Sequence, residues 1–342
     1  MSDLKATTTL KRREFVMGAA AAASVWLLPA RGIAAPRTSM NGVSVGAISY
    51  SFRGLPSSAD KVLDYLLQTG LNTVELMGDA AEEYAGAPAG ASMASPPQGR
   101  GGAEGMPEGP TSDGPSPMSA EEMAAMQALR ATANAEKSKW RKTVDMRSYK
   151  KLRKLYDDAG VSIDILKLGD ASWSDADIDY AYKVAEILGA RGISFEMEDK
   201  AAKRMGVFAE RHKMYNAMHN HAQYGQSSFS AEPLLAYSRY NMLNFDVGHY
   251  VGSTGKSPLE FIRQHHSRIT HLHLKDRKTP ANGGANVAWG TGDTPIGEVL
   301  RLLQAERYPI PAMIELEYKV PASSDILSEV KRCAEYCREQ LG

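Results

Sequence analysis

Three observations predict an α/β protein closed as an eight-stranded parallel barrel. Short β-branched or apolar runs alternate with helical patterns along the chain, and eight such runs can be counted. The foldable length, after two non-globular stretches are set aside, is about 245 residues, close to the size of a (β/α)8 TIM barrel. Gly70, Gly160, Gly189 and Gly192 stand where helices should end and turn back into strands. An open doubly wound sheet is the alternative. No Gly-x-Gly-x-x-Gly follows the first strand, so a dinucleotide site there has no support.

The expected strands are Val45–Phe52, Thr73–Met77, Ser162–Leu168, Ile193–Glu198, Tyr215–His221, Leu243–Gly248, Ile269–Lys275 and Ala312–Glu317. Between them the apolar spacing predicts helices over Ala59–Gln68, Arg147–Ala159, Asp175–Leu188, Ala201–His212, Pro258–His265, Ile296–Glu306 and Ser324–Gln340.

The first stretch set aside is residues 1–36. Lys11-Arg12-Arg13-Glu14-Phe15-Val16 forms a twin-arginine pattern, followed by an apolar run to Leu28 and small residues at Gly32, Ala34 and Ala35. The run is shorter than the roughly 20 residues of a membrane span, so a cleaved export signal and a periplasmic location are expected, with no stable membrane span. The second is a long Gly/Pro-rich insertion after the second strand, residues 79–145. Ala85 to Pro117 holds eight Gly and seven Pro with almost no large apolar side chain, a composition that does not repay the entropy of ordering. Ser119 and Glu122 then form a capping box for a helix over Ala120 to about Trp140. The expected layout is thus a signal at 1–36 and a barrel at 37–342, whose insertion is largely disordered apart from that helix.

Lys+Arg and Asp+Glu both number 40, giving a formal net charge of zero, which disfavours a nucleic-acid partner. Cys333 and Cys337 lie four apart on the terminal helix, and free packed thiols are expected.

All eight histidines fall between His212 and His273, and five cluster at the ends of three consecutive strands. Residues two apart on a strand share a face, so His219 with His221, and His271 with His273, can enter the barrel mouth together. His249, Asp246, Glu315 and Glu317 add ligands and acid–base groups at the same ends, where barrel active sites lie. Imidazoles and carboxylates converging in a partly dry mouth call for a cation, and the mixed set suits Mn, Zn, Co or Fe as the divalent ion. His212, His265 and His266 fall in helical segments and read as packing or solvated residues.

The segments Tyr215–His221, Asn244–His249, Arg268–Asp276 and Met313–Glu317 resemble the xylose-isomerase-like barrel superfamily, including its sugar phosphate isomerase/epimerase proteins. The resemblance covers roughly residues 43–340 apart from the Gly/Pro stretch. It implies a metal held at the ends of strands five to eight, which here become His219, Asp246, His273 and Glu315. His219 departs from the Glu common at its position, and Glu196 on the fourth strand, ahead of Glu198, is the other residue able to complete the set. The resemblance also places His249 near substrate. His221, His271, Lys275, Glu75 and Arg53 are read as substrate contacts. Lys275 could equally be a surface charge paired with Asp276. Trp173 and Trp289 could stack on a sugar or simply pack their loops.

The expected function is a metal-dependent sugar isomerase or epimerase. It would take a proton next to a carbonyl of a non-phosphorylated sugar or polyol, with Glu315, Glu317, Glu196 or His249 as base. A lyase or dehydratase acting on 3-keto-glycosides or inososes is the alternative. An apurinic-endonuclease-like hydrolase and a non-catalytic sugar-binding barrel are the further ones.

Overall fold

The computed structural model describes residues 39–88 and 119–342. The expected export signal, and the Gly/Pro stretch from residue 89 to 117, lie outside them. Among the described residues eight parallel strands close a barrel in sequence order: β1 (Val45–Ile48), β2 (Thr73–Met77), β3 (Ser162–Lys167), β4 (Gly192–Glu196), β5 (Tyr215–His219), β6 (Asn241–Asp246), β7 (Ile269–Leu274) and β8 (Ala312–Ile314). Pairing of β1 with β8 closes the ring.

Around it run α1 (Ala59–Thr69), α2 (Gly78–Tyr84), α3 (Ala120–Arg141), α4 (Arg147–Asp158), α5 (Asp175–Leu188) and α6 (Asp199–His212). They are followed by α7 (Glu232–Ala236), α8 (Val247–Thr254), α9 (Leu259–His265), α10 (Ile296–Ala305) and α11 (Ile326–Leu341). Strands buried on both faces, such as β7 with all six residues buried, explain the near-continuous apolar runs of the sequence. The helices bury Leu66, Leu152, Ile178, Met205, Leu300 and Val330 against them. Cys333 and Cys337 are free and buried in α11, as packed thiols. Among the described residues no helix is long and apolar enough to cross a membrane.

Most strands stop earlier than the apolar runs do. β1 ends at Ile48 because Ser49–Phe52 turns into a 3-10 helix whose hydroxyls bind the neighbouring strand ends. Ser49 Oγ accepts the Met77 N–H at 2.9 Å, and Ser51 Oγ donates to Ile314 O at 2.9 Å and accepts the Leu316 N–H. β6 ends at Asp246, whose Oδ1 accepts the His249 N–H at 2.7 Å and so caps α8. Val247 and Gly248, expected as strand, therefore open a helix. Glu198 is the residue before α6, and Glu315 to Glu317 follow β8 rather than extending it. Helices α2, α7 and α8 are additions to the expected set.

Helix α3 is tied to the barrel by its last residues. Arg141 is buried, donates to Glu82 of α2 at 2.7 Å and lies 3.7 Å over the Trp173 ring. Trp173 is thereby committed to loop packing, as Trp289 is against Tyr336 with ring centroids 5.8 Å apart.

At the base of the barrel Gly192 opens β4 where a Cβ would stand 2.2 Å from the Tyr215 carbonyl oxygen, part of the rigid β5 backbone. Gly192→Ala should therefore push β4 from β5 and cost about 1–3 kcal/mol. Urea unfolding measures this; an unchanged midpoint would show that the strands have slack.

Candidate metal and acid–base centre

The strand register brings the chemistry into one ring. Glu196 on β4 is level with His219 on β5, and Asp246 on β6 is level with His273 on β7. A register shift between Leu243 and Asn244 sets Asn244 level with His271. Alternation then sends Asn244 and Asp246, and likewise His271 and His273, inward.

The floor of the mouth is a buried carboxylate. Glu75 of β2 is wholly buried and accepts from His271 Nε2 at 3.0 Å, from His273 Nε2, from Ser194 Oγ and from Asn244 Nδ2 at 3.4 Å. Burial opposes its charge, but His273 and His271 beside it hold its carboxyl well below the usual range. Burial keeps His271 low and neutral. Glu75 and His271 were expected to touch substrate; both lie beneath His273 with no accessible surface, so their place is to support it.

Above this floor sit His219, Asp246, His273 and Glu315, all buried, with ligand atoms within 4.8 Å of one another. His273 Nδ1 is 2.9 Å from Glu315 Oε2 and 3.9 Å from Asp246 Oδ2. Burial drives the His219 imidazole well below its ordinary value, helped by Lys167 and His273, so it presents a lone pair. Burial raises Asp246 to about 6, against the pull of Lys275. Burial also opposes a charge on His273, yet Glu315 and Glu75 on its two sides outweigh this and raise it to about 10. Glu315 is held well below the carboxylate range by Lys275 and His273 against its burial.

Lys275 is no surface charge. Its side chain is 1% exposed, and its ammonium lies 2.9 Å from Asp246 Oδ2, 2.9 Å from Glu315 Oε2 and 2.6 Å from Glu317 Oε2. Its supposed partner Asp276 turns away and accepts the Gly290, Gly292 and Thr294 N–H groups. Gly248 makes room for it, since a Cβ there would come within 2.2 Å of Lys275 Cγ.

The remaining expected residues fall around the rim. His221 Nε2 pairs with Glu196 Oε2 at 2.7 Å, and Lys167 donates to Glu196 Oε1 at 2.8 Å. Glu196 is thus spent outside the four-residue cluster, its carboxyl pulled down to about 2 by His221 and Lys167 despite partial burial. Arg53 donates to the Leu316 carbonyl and stacks on Tyr50, so it fastens the β8 end. His249 is buried beside Asp246 and Lys275. His212 bonds Asp179 at 2.8 Å and stacks on Tyr182, while His266 stacks on Tyr308, both as packing residues. His265 lies against Phe261.

Several participants were not singled out from sequence. Ser194 and Asn244 hold Glu75, Asn220 brackets the Asp246 backbone, and Arg277 meets His249 Nδ1 at 2.7 Å. The inward alternation of β6 was a usable signal for Asn244; nothing in the local pattern marks the others.

Comparison with known proteins agrees with the barrel fold. Residues 185–337 match the family described as xylose isomerase-like TIM barrel. An inosose dehydratase of Clostridium botulinum (strain Eklund 17B / Type B) is 26% identical over 155 residues, 40% of this chain and 51% of the relative. The chain thus spans about half the length of the curated relatives it matches. The fold resembles that of a probable 3-DHS dehydratase from Bacillus anthracis, with a TM-score of 0.54 and 14% identity over 86% of this chain and 99% of that one. It also resembles the 3-keto-D-glucoside 4-epimerase of E. coli, with a TM-score of 0.53 and 10% identity over 87% and 99%.

The His273 shift carries a pH signature. A folded-state value of about 10 lies above the ordinary imidazole value of 6.5. Its stabilisation is therefore complete below about 6.5 and lost as pH rises through about 10. In chelator-treated protein, wild type should lose stability relative to Glu75→Gln across that window in urea unfolding. Parallel curves would contradict the buried ion pair.

Proposed function

We propose that the barrel is a metal-dependent enzyme that takes a proton from the carbon next to a carbonyl of a non-phosphorylated sugar or polyol. One observation carries the metal. His219 Nδ1, Asp246 Oδ2, His273 Nδ1 and Glu315 Oε2 are all buried and none has a hydrogen-bond partner. The Lys275 ammonium is 2.9 Å from two of them but is not aligned to donate. His273 Nδ1 and Glu315 Oε2 face each other at 2.9 Å without hydrogen-bond alignment, and once His273 gives up its proton the four buried ligand atoms are costly together unless a cation takes them up. The donor set of two imidazoles and two carboxylates fits a divalent first-row ion.

Charge agrees with this fit. Asp246, Glu315 and Glu317 surround Lys275, Glu75 lies against His271 and His273, and Arg277 stands against His249, so once His273 has given up its proton four carboxylates meet two permanent cations, which leaves two negative charges for a divalent ion. The ion, when bound, supplies Lewis acidity to neighbouring oxygens of a hydroxy-carbonyl substrate. The chain supplies the rest. Glu75 fixes the His273 ring through Nε2 and leaves Nδ1 toward the cluster.

Glu317 is our choice of base. Of the three carboxylates around Lys275 it is the most exposed, at 15% against 0% for Asp246 and 6% for Glu315, so its oxygen can meet a substrate carbon. Lys275 holds the carboxylate in place between proton transfers. The cations near the mouth are already engaged: Lys167 by Glu196, Arg53 by the Leu316 carbonyl and Arg277 by His249 and Gly284. That favours a substrate without phosphate, in keeping with the export signal read at residues 11–16.

Return of the proton gives an isomer or epimer, whereas expulsion of a β-hydroxyl gives dehydration. The inosose dehydratase relative favours the second outcome as the alternative reading, and both share the first step.

The test is solvent deuterium incorporation into a panel of keto-sugars and inososes by metal-loaded protein. Exchange at the α-carbon is expected, with Glu317→Gln slowing it by about 10²–10⁴-fold. Asp246→Ala combined with His273→Ala should abolish metal binding and exchange together. Full metal occupancy in that double variant, or cleavage of abasic DNA without α-exchange, would overturn the reading.

A further inference from the structure

The strand register brings one further cation into the mouth, which no step of the proposed proton transfer uses. Ile165 of β3 is level with Glu75, whose side chain points inward, so Lys167 two residues on points inward as well, one layer higher and level with Met77. On β4 the same alternation sends Ser194 onto Glu75 and Glu196 above it, level with His219. Lys167 therefore stands in the layer of the four-residue cluster. The barrel closes in sequence order, so β3 lies opposite β7, whereas His219, Asp246, His273 and Glu315 belong to the half of the ring formed by β5 to β8. Lys167 is on the facing wall.

Glu196 braces this cation without occupying all of it. Its Oε1 accepts from Lys167 Nζ at 2.8 Å and its Oε2 pairs with His221 Nε2 at 2.7 Å, so the carboxylate is held at both oxygens and the ammonium has a fixed place. An ammonium carries three hydrogens. Among the described residues only Glu196 accepts one of them, which leaves two for a ligand, and the lysine side chain is 20% exposed, so a ligand can reach it. Burial opposes the charge on Lys167, but Glu196, Glu75 and Glu315 outweigh this and hold the proton on it.

We propose that Lys167 is a substrate-binding residue that sets specificity, donating its two free N–H groups to a hydroxyl at the end of the substrate remote from the metal-bound oxygens. This rests on the reading of the mouth as a site for a metal-bound hydroxy-carbonyl compound. The group it takes is a neutral oxygen. A carboxylate or phosphate against Nζ would also lie against Glu196, whose charge already cancels that of the lysine. With the metal ligands on one wall and Lys167 on the other, a polyhydroxy ketone of about six carbons, open or cyclic, engages both, whereas a three-carbon one fills the metal end alone.

The test is binding, read by NMR titration of the zinc-loaded full chain with six-carbon keto-sugars and inososes, with dihydroxyacetone as the three-carbon probe and D-fructuronate as the anionic one. Wild type should prefer the neutral six-carbon compounds to D-fructuronate. Lys167→Met should weaken the tightest of them by about 10–10²-fold while zinc affinity and dihydroxyacetone binding stay as in wild type. Glu196→Gln removes the cancelling charge and should reverse the preference, with D-fructuronate gaining about tenfold over the neutral sugars. Unchanged six-carbon binding in Lys167→Met, an equal loss for dihydroxyacetone, a fall in zinc affinity, or a wild-type preference for D-fructuronate would overturn the proposal, as would no binding of any six-carbon compound. The wild-type preference and its reversal in Glu196→Gln decide the matter if Lys167→Met does not fold. Binding that depends on Lys167 without any α-exchange would refute the proposed reaction alone and uphold the role of Lys167.

Discussion

The arrangement of the mouth depends on a carboxylate with no access to water. Glu75 is buried at the centre of the barrel and survives as an anion because two imidazoles, a hydroxyl and an amide converge on it. An ionised carboxyl in such a place would otherwise lose several kcal/mol of hydration. By accepting from His271 and His273 together it fixes both rings, and His273 in turn sets the distance to Glu315 and Asp246. Glu75 thus orients the ring through which the floor meets the cluster above it.

Charge then propagates outward. Lys275 brings a permanent cation among Asp246, Glu315 and Glu317, which could not lie so close without one. Arg277 closes the set from the β7–α10 loop, itself stapled by Asp276 and Asp293 through backbone N–H groups. The proton on His273 and a divalent ion compete for the same volume, because both answer the same excess of negative charge. Metal binding and the protonation of His273 are on this account linked.

The sequence made the barrel legible because its strands announce themselves twice, by apolar content and by the glycines that end the helices. β7 was read to within one residue, since His-Leu-His alternation leaves little freedom. Where a run continued past its strand the ends were overextended, as at Val247 and Gly248, because Asp246 caps a helix through a contact visible only in three dimensions. Which residues face inward was legible from alternation; how deep they lie was not. Glu75 and His271 share the inward face with His273 yet stand a layer below it. Lys275 was readable as inward or surface, and only the space left by Gly248 decides between them. Arg277 acts across a loop whose path no local pattern fixes.

The most direct test is a crystal of the zinc-loaded protein with an anomalous difference map at the zinc edge. The account predicts one strong peak at about 2.0–2.2 Å from His219, Asp246, His273 and Glu315. A peak among His219, His221 and His249, or none above the background of the map, would contradict it.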